Sequence, residues 1–362
     1  MRIVHVTQPV EAGVAAVVLE LAVAQRELGW RVDVACPPGW LADRLRELRV
    51  AVHDWPASRS PGPATVAETA RLRRLLAALD PDAVHLHSSK AGLAGRLALR
   101  GTRPTLFQPH LWSFQTARGA LRRASVAWER YAARWTDQLV CVSDDELRAG
   151  RDLGITTPAE VVCNGVDTSA LRPRSRVAAR VRLGLPDAPT AVCVGRVAPL
   201  KGQDQLLAAW PSVLARVPGA RLVLVGDGPM RARWEASAGH PSVRWWGHHA
   251  AVADFYTAAD VVVLPSRAEG MALVPLEAMA SGRTVVAFDV GGVRQSVGDA
   301  GAVVPAGDVP ALADAVATRL ADPLLAADEG LTGRRRAEVL FDSVRVGDQV
   351  ATLVEKLVGC GR

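Results

Sequence analysis

Short apolar runs of strand length alternate with helical stretches along most of the 362-residue chain, and this alternation restricts the fold more than any other feature. Strands that alternate with helices predict a parallel, doubly wound sheet that binds ligands at the carboxyl ends of its strands. In the first half, strand signals occur at 2–7, 31–35, 51–53, 83–87, 105–108, 138–142 and 161–163, and helical stretches at 14–28, 65–79, 93–100, 121–135 and 144–153.

The same pattern restarts after an Arg- and Pro-rich stretch at residues 168–189, which we interpret as a linker. The sequence therefore predicts two Rossmann-like domains, residues 1–167 and 168–342, that face each other across a cleft. A C-terminal helix at about 343–362 is a candidate to pack back on the first domain. The second series of strand signals lies at 190–195, 221–226, 243–246, 260–264, 284–288 and 302–304.

Composition excludes several other classes of protein. The net charge of +6 comes from 43 basic and 37 acidic residues spread along the chain, so nucleic-acid binding is not indicated. The five cysteines include no close pair, and we interpret them as buried free thiols of a reducing compartment. The chain opens with a strand rather than a signal peptide, and no apolar run approaches the ~20 residues of a membrane span. We expect a cytoplasmic protein, at most peripheral to a membrane.

The most informative stretch is Val261–Ser281, VVVLPSRAEGMALVPLEAMAS, which has the pattern of a strand, a loop and a helix. Glu269 stands at the tip of the strand and Glu277 about one turn into the helix. The amides of residues 271–274 then lie at a helix N-terminus, which favours a phosphate. Such a device could hold a sugar nucleotide, with Glu277 on the ribose and Glu269 on the sugar. The alternative is an ordinary βα unit with two solvated or helix-stabilising carboxylates.

Two cations precede the first helix of the second domain. The loop GRVAPLKGQD places Arg196 and Lys201 between a strand and a helix. Arginine suits a diphosphate because it makes bidentate hydrogen bonds, and lysine suits it as a point charge. The alternative is a pair of solvated loop charges. In the first domain, Gly13 follows the first strand, where the backbone could approach a phosphate, although most such glycines only serve a turn.

Histidines and other polar residues follow two strands of the first domain. We interpret His85 and His87 as satisfied structural residues, whereas for His110 a ligand contact and a structural role stay open. The segments HLHSSKAG and PHLWSF place four side chains at one edge of the predicted sheet: His87, Ser88, Lys90 and His110.

These motifs together resemble family 4 of the retaining glycosyltransferases, which have the GT-B architecture, over nearly the whole chain. The resemblance is carried by GRVAPLKG, LVGDGP, FYTAADVVVLPSRAEGMALVPLEAMASG, FDVGGVRQSV, AGAVVPAGD, VCVSDDE and VVCNGVD. The glutamate pair in its strand and helix context, combined with the Arg and Lys loop, is specific to this family. Each motif alone would be weak.

The resemblance implies a role for each candidate residue. Arg196 and Lys201 would hold the diphosphate, Glu277 the ribose and Glu269 the transferred sugar. His110 resembles the family's histidine near an outer hydroxyl of the donor sugar. The remaining donor contacts that the resemblance implies are Gly13 and the amides of Ala272, Leu273 and Val274 at the phosphate, and Gly247 and His248 at the base.

The chain departs from the family pattern at three places. Ala12 stands where the family has the first of two glycines, and Ala272 stands where a glycine is usual. The glutamate that is usual near Gln295 is absent. An alanine at position 12 narrows the backbone freedom of the first loop.

The resemblance implies a hexosyltransferase that moves a sugar from a nucleoside diphosphate, expected to be UDP, to an acceptor hydroxyl with retention. HLHSSKAGLAGR and PHLWSF resemble the branch that builds bacterial cell-surface polysaccharides, which indicates a sugar acceptor that a lipid could carry. No cofactor and no metal are expected, because protein cations would meet the diphosphate charge. The alternatives are a small-molecule natural-product glycosyltransferase, a GT-B epimerase or hydrolase, and a non-catalytic sugar-nucleotide-binding protein.

The stretch Arg118–Trp135 combines an aromatic stripe with five arginines. Basic residues beside aromatic residues suit an anionic membrane surface. The alternative is that the stripe of Leu121, Ala124, Trp128, Tyr131 and Trp135 packs on the domain's own sheet and leaves the arginines solvated.

Overall fold

A computed structural model describes residues 1–237, 239–249 and 251–360 of the protein. The chain forms two compact units, one of residues 1–165 with 343–362 and one of residues 166–342. Among the described residues each unit contains one sheet, of seven and six strands respectively, and all strand pairs are parallel. The prediction of two parallel α/β domains is confirmed.

The first unit is a doubly wound domain closed by the C-terminal helix. Its strands are β1 Arg2–Thr7, β2 Arg31–Cys36, β3 Ala51–Asp54, β4 Ala83–His87, β5 Thr105–Gln108, β6 Gln138–Cys141 and β7 Ala159–Val161. Its helices are α1 Ala12–Glu27, α2 Trp40–Glu47, α3 Ala64–Leu79, α4 Ser88–Leu99, α5 Ser113–Thr116, α6 Gly119–Ala132 and α7 Asp144–Asp152, with α16 Ser343–Cys360 packed on α1.

The strand order of this sheet is β3-β2-β1-β4-β5-β6-β7, so the order reverses between β1 and β4. Those two strands pair in register, with His5 opposite His85. Val4, Val84 and Leu86 are completely buried. Both faces of a parallel sheet are covered by helices, which is why these strands are continuous apolar runs in the sequence.

The second unit repeats the design with a shorter sheet. Its strands are β8 Thr190–Val194, β9 Arg221–Val225, β10 Val243–Gly247, β11 Val261–Leu264, β12 Thr284–Phe288 and β13 Gly301–Val304, in the order β10-β9-β8-β11-β12-β13. Its helices are α8 Arg176–Arg182, α9 Gln203–Arg216, α10 Arg231–Ser237, α11 Ala253–Ala258, α12 Leu273–Ala280, α13 Val293–Val297, α14 Val309–Ala321 and α15 Pro323–Leu340.

The interpretation of residues 168–189 as a linker is wrong for α8. The hydroxyl of Ser175 accepts a hydrogen bond from the Ala178 amide and begins the helix. Arg180 is buried and donates to Asp260 at 2.6 Å and to the Ala258 carbonyl at 3.1 Å. Arg180 therefore packs within the unit, while the other arginines of this stretch, Arg172, Arg174, Arg176 and Arg182, are exposed.

Two boundaries in the first unit also differ from the prediction. The last strand is β7, two residues before the predicted 161–163, because only Ala159–Val161 pair with β6. The helix predicted at 93–100 begins at Ser88, and Gly92, just before the predicted start, is a helical residue. A Cβ atom on Gly92 would lie 2.4 Å from the ring of Phe107, so this glycine lets the helix approach the sheet closely.

The cysteines are free thiols where the structure describes them. Cys36, Cys141 and Cys193 are buried, as expected, whereas Cys163 is partly exposed. The side chain of Cys360 lies outside the described part of the chain. Among the described residues, no helix combines the length and the apolar character that crossing a membrane requires.

Candidate active site

The carboxyl ends of the strands of the second unit carry the charged residues that the sequence singled out. The order of this sheet reverses between β8 and β11. Open parallel sheets bind ligands at the carboxyl ends of the two strands where the order reverses. Arg196 and Lys201 follow β8, while Glu269 and Glu277 follow β11, so all four flank this point.

Lys201 and Glu269 form an ion pair. The Lys201 Nζ lies 2.6 Å from the Glu269 Oε1, and the side chains are 33% and 11% exposed. Lys201 ends a 3-10 turn, and the next residue, Gly202, has a φ of +68°. A Cβ on Gly202 would lie 1.9 Å from the Pro265 carbonyl oxygen, so only glycine lets the two loops meet this closely. The sequence analysis assigned these two side chains to separate parts of a ligand and did not predict their contact.

A second ion pair fastens the same loops together. The guanidinium of Arg267 donates two hydrogen bonds to the Asp204 carboxylate, at 2.8 and 2.7 Å. This arginine holds the pKa of Asp204 below its usual range. The Arg267 amide also donates to the Leu200 carbonyl at 2.8 Å. Arg196 lies on the exposed part of the β8 loop, and its carbonyl accepts from the Gln203 side chain at 3.0 Å.

The loop after β12 supports Glu269 from the other side. Gly291 has a φ of +50°, and a Cβ there would lie 2.0 Å from the Glu269 carbonyl oxygen. The amide of Gly292 donates to the Gly270 carbonyl at 2.8 Å. The motif FDVGGVRQSV carried the resemblance, but sequence reasoning gave its glycines no role.

Glu277 lies on the second turn of α12 and is partly buried. The hydroxyl of Tyr256, a buried residue of α11, donates to the Glu277 Oε2. Burial raises the pKa of Glu277, and the tyrosine hydrogen bond opposes that rise. Burial and Glu277 together raise the pKa of Tyr256 well above its ordinary value. Tyr256 was missed, because nothing in the spacing of FYTAAD distinguishes a carboxylate partner from a core aromatic.

The N-terminus of α12 has no side-chain cap and no acidic residue in its first turn. The amides of Ala272, Leu273 and Val274 therefore lie at a helix start whose dipole favours an anion. Ala272 has a φ of −71°, a conformation that any residue adopts, so the glycine usual in the family is not needed here.

Gly247 ends β10 and His248 follows it, at the same edge of the sheet and two strands from β8. Gly247 has a φ of +82°, and its carbonyl accepts from the Gly226 amide at 2.7 Å. His248 is exposed. Their contact with a nucleotide base remains a prediction.

In the first unit, Ala12 and Gly13 begin α1 just after β1, at the point where that sheet reverses order. The residue before them, Glu11, provides no side-chain cap. Ala12 has a φ of +60°, a left-handed conformation that costs an alanine roughly 1 kcal/mol. The backbone at position 12 therefore keeps the left-handed conformation that a glycine would favour, although this conformation is strained for an alanine.

Four residues of the first unit form a continuous hydrogen-bonded chain. His110, which follows β5, has its Nε2 3.1 Å from the His87 Nδ1. The His87 Nε2 lies 3.0 Å from the His5 Nδ1, and the His5 Nε2 lies 2.7 Å from the Gln25 Oε1. Burial lowers the pKa of His5 to about 4 and that of His110 to about 3, so these rings are neutral at pH 7. Burial also places the pKa of His87 well below its ordinary value.

Two predictions for the polar residues at the carboxyl ends of β4 and β5, those for His85 and Lys90, are wrong. His87 is satisfied, but His85 is not, because neither of its buried ring nitrogens makes a hydrogen bond of normal geometry. Lys90 does not face a ligand edge either. Its ammonium lies 2.5 Å from the Glu68 carboxylate and is 3% exposed. The reason is that α4 begins at Ser88, one turn earlier than predicted, and this turns Lys90 toward α3.

Two parallel-sheet domains, one of which gathers cations and carboxylates at the carboxyl edge of its strands, have the architecture of the GT-B class of glycosyltransferases. Residues 12–170 match the family model described as Glycosyltransferase Family 4, and residues 188–322 match the model described as Glycosyl transferases group 1. The chain belongs to this family of glycosyltransferases.

Two relatives illustrate the similarity. The chain is 32% identical over 360 residues to the GDP-mannose-dependent alpha-(1-6)-phosphatidylinositol monomannoside mannosyltransferase of Mycolicibacterium smegmatis, covering 89% of each chain. It is 33% identical over 282 residues to the D-inositol 3-phosphate glycosyltransferase of Mycobacterium bovis, covering 70% of this chain and 56% of that protein.

Solved structures at lower identity share the fold. Sucrose-phosphate synthase from Thermosynechococcus elongatus aligns with a TM-score of 0.86 at 23% identity, covering 99% of this chain and 100% of the other. HepE from Anabaena, in complex with UDP and glucose, aligns with a TM-score of 0.85 at 22% identity, covering 98% and 99%.

Proposed function

We propose that this glycosyltransferase moves a mannosyl residue from GDP-mannose to an acceptor hydroxyl with retention of configuration. The observation that carries the proposal is the Lys201–Glu269 ion pair beside the uncapped start of α12, where the sheet of the second unit reverses order. GDP replaces the UDP expected from the sequence, because relatives that match over 89% and 76% of the chain, at 32% and 34% identity, are named for GDP-mannose. Retention follows from the family.

The chemistry follows from charge. Breaking the bond between sugar and diphosphate places negative charge on the leaving diphosphate. Arg196, Lys201 and the first-turn amides of α12 would stabilise that charge without a metal. Glu269 holds the Lys201 ammonium in place before the donor arrives and would accept hydrogen bonds from the sugar hydroxyls. Glu277, with its Oε2 occupied by Tyr256, would use its other oxygen on the ribose.

We propose an inositol-bearing acceptor, because both groups of relatives carry phosphatidylinositol or inositol in their names. A lipid-borne form of this acceptor fits the surface of α6. On this helix Leu121 is 66% exposed and Tyr131 is 47% exposed. Five arginines on this helix and just beyond its two ends are also exposed: Arg118, Arg122, Arg123, Arg130 and Arg134.

The acidic residue of α6 does not neutralise this surface. Glu129 is buried and accepts from Arg96 at 2.7 Å, so its charge is directed into the unit. The interpretation of the aromatic stripe as packed on the sheet fits Trp128 and Trp135, which are partly buried, but not Leu121 or Tyr131. Exposed apolar side chains among unneutralised arginines support contact with an anionic membrane surface.

The decisive experiment is a transfer assay with GDP-mannose, UDP-glucose and ADP-glucose, each with phosphatidylinositol in vesicles or with soluble myo-inositol. We expect a mannosylated product from GDP-mannose with the lipid acceptor. Product only with soluble inositol would replace the lipid acceptor by a small molecule, and product only from UDP-glucose would replace the donor. An epimer, or rapid release of free sugar from donor alone, would instead indicate the epimerase or hydrolase alternative. Donor binding without turnover would indicate a binding protein.

A further inference from the structure

A cavity of about 490 Å³ lies at the amino edge of the sheet of the second unit. Three of its lining residues, Pro189, Asp260 and Arg283, immediately precede β8, β11 and β12. The candidate donor site lies at the carboxyl ends of the same parallel strands, and the four residues of β11 alone span roughly 13 Å. The cavity is therefore distinct from the donor site, and its volume is in the range of small-molecule sites.

Five arginines line this cavity, and the stretch that the sequence suggested as a linker supplies three of them. The five are Arg174, Arg176, Arg180, Arg283 and Arg319. Gly282 has a φ of +70°, and a Cβ there would lie 3.0 Å from the Cγ of Pro173. Glycine at this position therefore lets the segment that carries Arg174 lie against the start of β12.

Aspartates of the lining balance two of these arginines. Asp260 pairs with Arg176 and also with Arg180, whose Nη2 lies 2.6 Å from the Asp260 Oδ2. Arg180 pairs in addition with Asp187 at 2.7 Å. Two arginines and two aspartates therefore offset each other in this part of the lining.

Arg319 is neutralised by a residue behind the cavity wall. It donates two hydrogen bonds to the Glu329 carboxylate, at 2.8 and 2.5 Å. The remaining two arginines, Arg174 and Arg283, form no ion pair with any other residue in the described part of the chain. The lining therefore carries an excess of two positive charges.

Arg283 is partly buried without a partner for its charge. Its Nε is buried with no hydrogen-bond acceptor, and no residue that the structure describes accepts from its guanidinium. Burial lowers the pKa of Arg283 to about 10, assisted by the charge of Arg176 and opposed by that of Asp260. The side chain is still protonated at pH 7. Because an unpartnered buried cation is costly, an anion that enters the cavity would relieve this cost.

Arg174 is exposed, and its side chain donates to the Ala170 carbonyl at 3.0 Å. Most of its donors therefore remain available to a ligand. Asp322, which precedes the lining residue Pro323, is already engaged by two first-turn amides of α15. Its carboxylate is thus directed to the helix rather than to the arginines.

We propose that this cavity is a second anion site, in which Arg283 and Arg174 bind the phosphoryl group of a small organic phosphate or of free phosphate. A phosphate monoester carries a charge of about −1.5 to −2 at pH 7, which matches the excess of two positive charges, whereas a carboxylate supplies only one negative charge. Guanidinium groups also bind phosphate oxygens through paired hydrogen bonds. The organic part of a ligand would contact the apolar part of the lining, which consists of Leu320, Pro323, Ala326 and Ala327.

Calorimetry on the full chain tests this site with three probes: glucose 6-phosphate, inorganic phosphate and, as an uncharged control, glucose. We expect the wild type to bind both anions and not glucose. Tighter binding of glucose 6-phosphate would identify an organic phosphate as the ligand, and equal or tighter binding of inorganic phosphate would identify the free anion. Failure of both anions to bind at millimolar concentrations would overturn the proposal.

Variants locate the bound anion. Arg283→Met and Arg174→Met each remove a cation of the cavity and should weaken anion binding about tenfold or more, because a hydrogen bond between charged groups is lost. Arg335→Met is the matched control, since Arg335 is an exposed arginine of α15 that does not line the cavity. Lys201→Ala, which alters the candidate donor site, should also bind the anions like the wild type.

Binding that is lost in Lys201→Ala and retained in the cavity variants would place the anion in the donor site and overturn the proposal. Equal affinities of Arg283→Met, Arg174→Met and Arg335→Met would overturn it as well. Because Arg174 is exposed, its variant decides the question even if Arg283→Met does not fold. The readout needs no sugar nucleotide and no transfer, so it is independent of the proposed function.

Discussion

Lys201 and Glu269 are separated by 68 residues in the sequence and form an ion pair of 2.6 Å at the carboxyl edge of the second sheet. The pair joins the loops that follow β8 and β11, the two strands between which the sheet order reverses. In the proposed function the pair holds the Lys201 ammonium in place before the substrate arrives, which would avoid the cost of reorganising it in the transition state.

The first prediction concerns the roles of these charges. Lys201→Ala and Arg196→Ala should lower kcat on the order of 100-fold while changing KM less, because the charge they meet grows in the transition state. Steady-state kinetics with GDP-mannose checks this. The control is Arg216→Ala, which removes an exposed ion pair with Asp314 in the same unit and should leave both constants unchanged.

Glu269→Ala should act differently. It should leave the affinity for GDP unchanged and weaken binding of intact GDP-mannose, since its carboxylate is assigned to the sugar. Equal losses for both ligands in calorimetry would make Glu269 a structural partner of Lys201 only.

The second prediction concerns Glu277. Glu277→Gln keeps the shape of the side chain but removes the charge that strengthens hydrogen bonds from the ribose, so the affinity for GDP should fall by about 1 to 3 kcal/mol. Tyr256→Phe leaves the carboxylate in place and should have a smaller effect. Calorimetry with GDP alone measures both, and unchanged affinity of the Gln variant would contradict the assignment.

The third prediction concerns Gly291. Gly291→Ala places a methyl group 2.0 Å from the Glu269 carbonyl oxygen at a φ of +50°, so the glutamate loop must move. We expect transfer activity to fall at least tenfold and the free energy of unfolding to fall by about 1 to 3 kcal/mol. Gly219→Ala is the matched control, because nothing lies within 4 Å of a Cβ there and its φ is outside the left-handed region. Equal behaviour of the two variants would remove Gly291 from the site.

The fourth prediction concerns pH and the buried Glu146 of α7. Its Oε2 accepts from the Val142 amide at 2.8 Å, while its Oε1 is buried without a partner. Burial raises the pKa of Glu146 from 4.5 to about 8. The folded protein therefore holds a proton that the unfolded chain releases above pH 4.5. The contribution of this group to stability is present below pH 4.5 and is lost as pH rises through 8, by at most about 5 kcal/mol.

Comparison with Glu146→Gln isolates this contribution, since the histidines titrate equally in both proteins. The free energy of unfolding of the wild type should fall relative to the variant between pH 5 and pH 9 in urea titrations. Glu68→Gln should show no pH-dependent difference over this range, because Lys90 and Ser58 hold the pKa of Glu68 below its usual range despite burial, and its contribution to stability is lost only as pH falls below 4.5. A pH-independent difference for Glu146→Gln would mean that this carboxyl is ionised in the folded state.

The sequence predicts the fold well because parallel sheets covered on both faces need apolar strands, and these runs are visible without any alignment. The prediction from the sequence is wrong at positions where a polar or small residue has a structural role. Arg180 looked like part of a solvated linker, but its partner Asp260 is 80 residues away. Gly92 lies just before the predicted start of its helix, but it is part of α4, at the point where this helix contacts Phe107.

The candidate site shows the same division. Glu269, Glu277, Arg196 and Lys201 could be found because charged residues beside strand ends are conspicuous. Their mutual contacts could not, since the ion pair depends on Gly202 and Gly291 allowing three loops to meet. The hydrogen-bonded chain that ends at His110 could not be predicted either, for a related reason. His5, His87 and Gln25 belong to three different elements, and the pairing of β1 with β4 and the packing of α1 on β1 bring them together.

The last prediction concerns α6 and membranes. Arg122→Glu combined with Arg123→Glu reverses two exposed charges next to Leu121 without touching the buried Arg96–Glu129 pair. Each arginine near an anionic surface contributes about 1 kcal/mol, so sedimentation with phosphatidylinositol vesicles at low salt should fall at least tenfold.

The fold and the rate on soluble inositol should stay unchanged in that variant. The matched control is Arg73→Glu with Arg74→Glu, an adjacent exposed pair on α3 of the same unit, which should sediment like the wild type. Raising the salt concentration should release the wild type as well, because exposed charges are screened. Wild-type protein that stays in the supernatant at low salt would rule out this docking surface and would make a soluble inositol the better candidate acceptor.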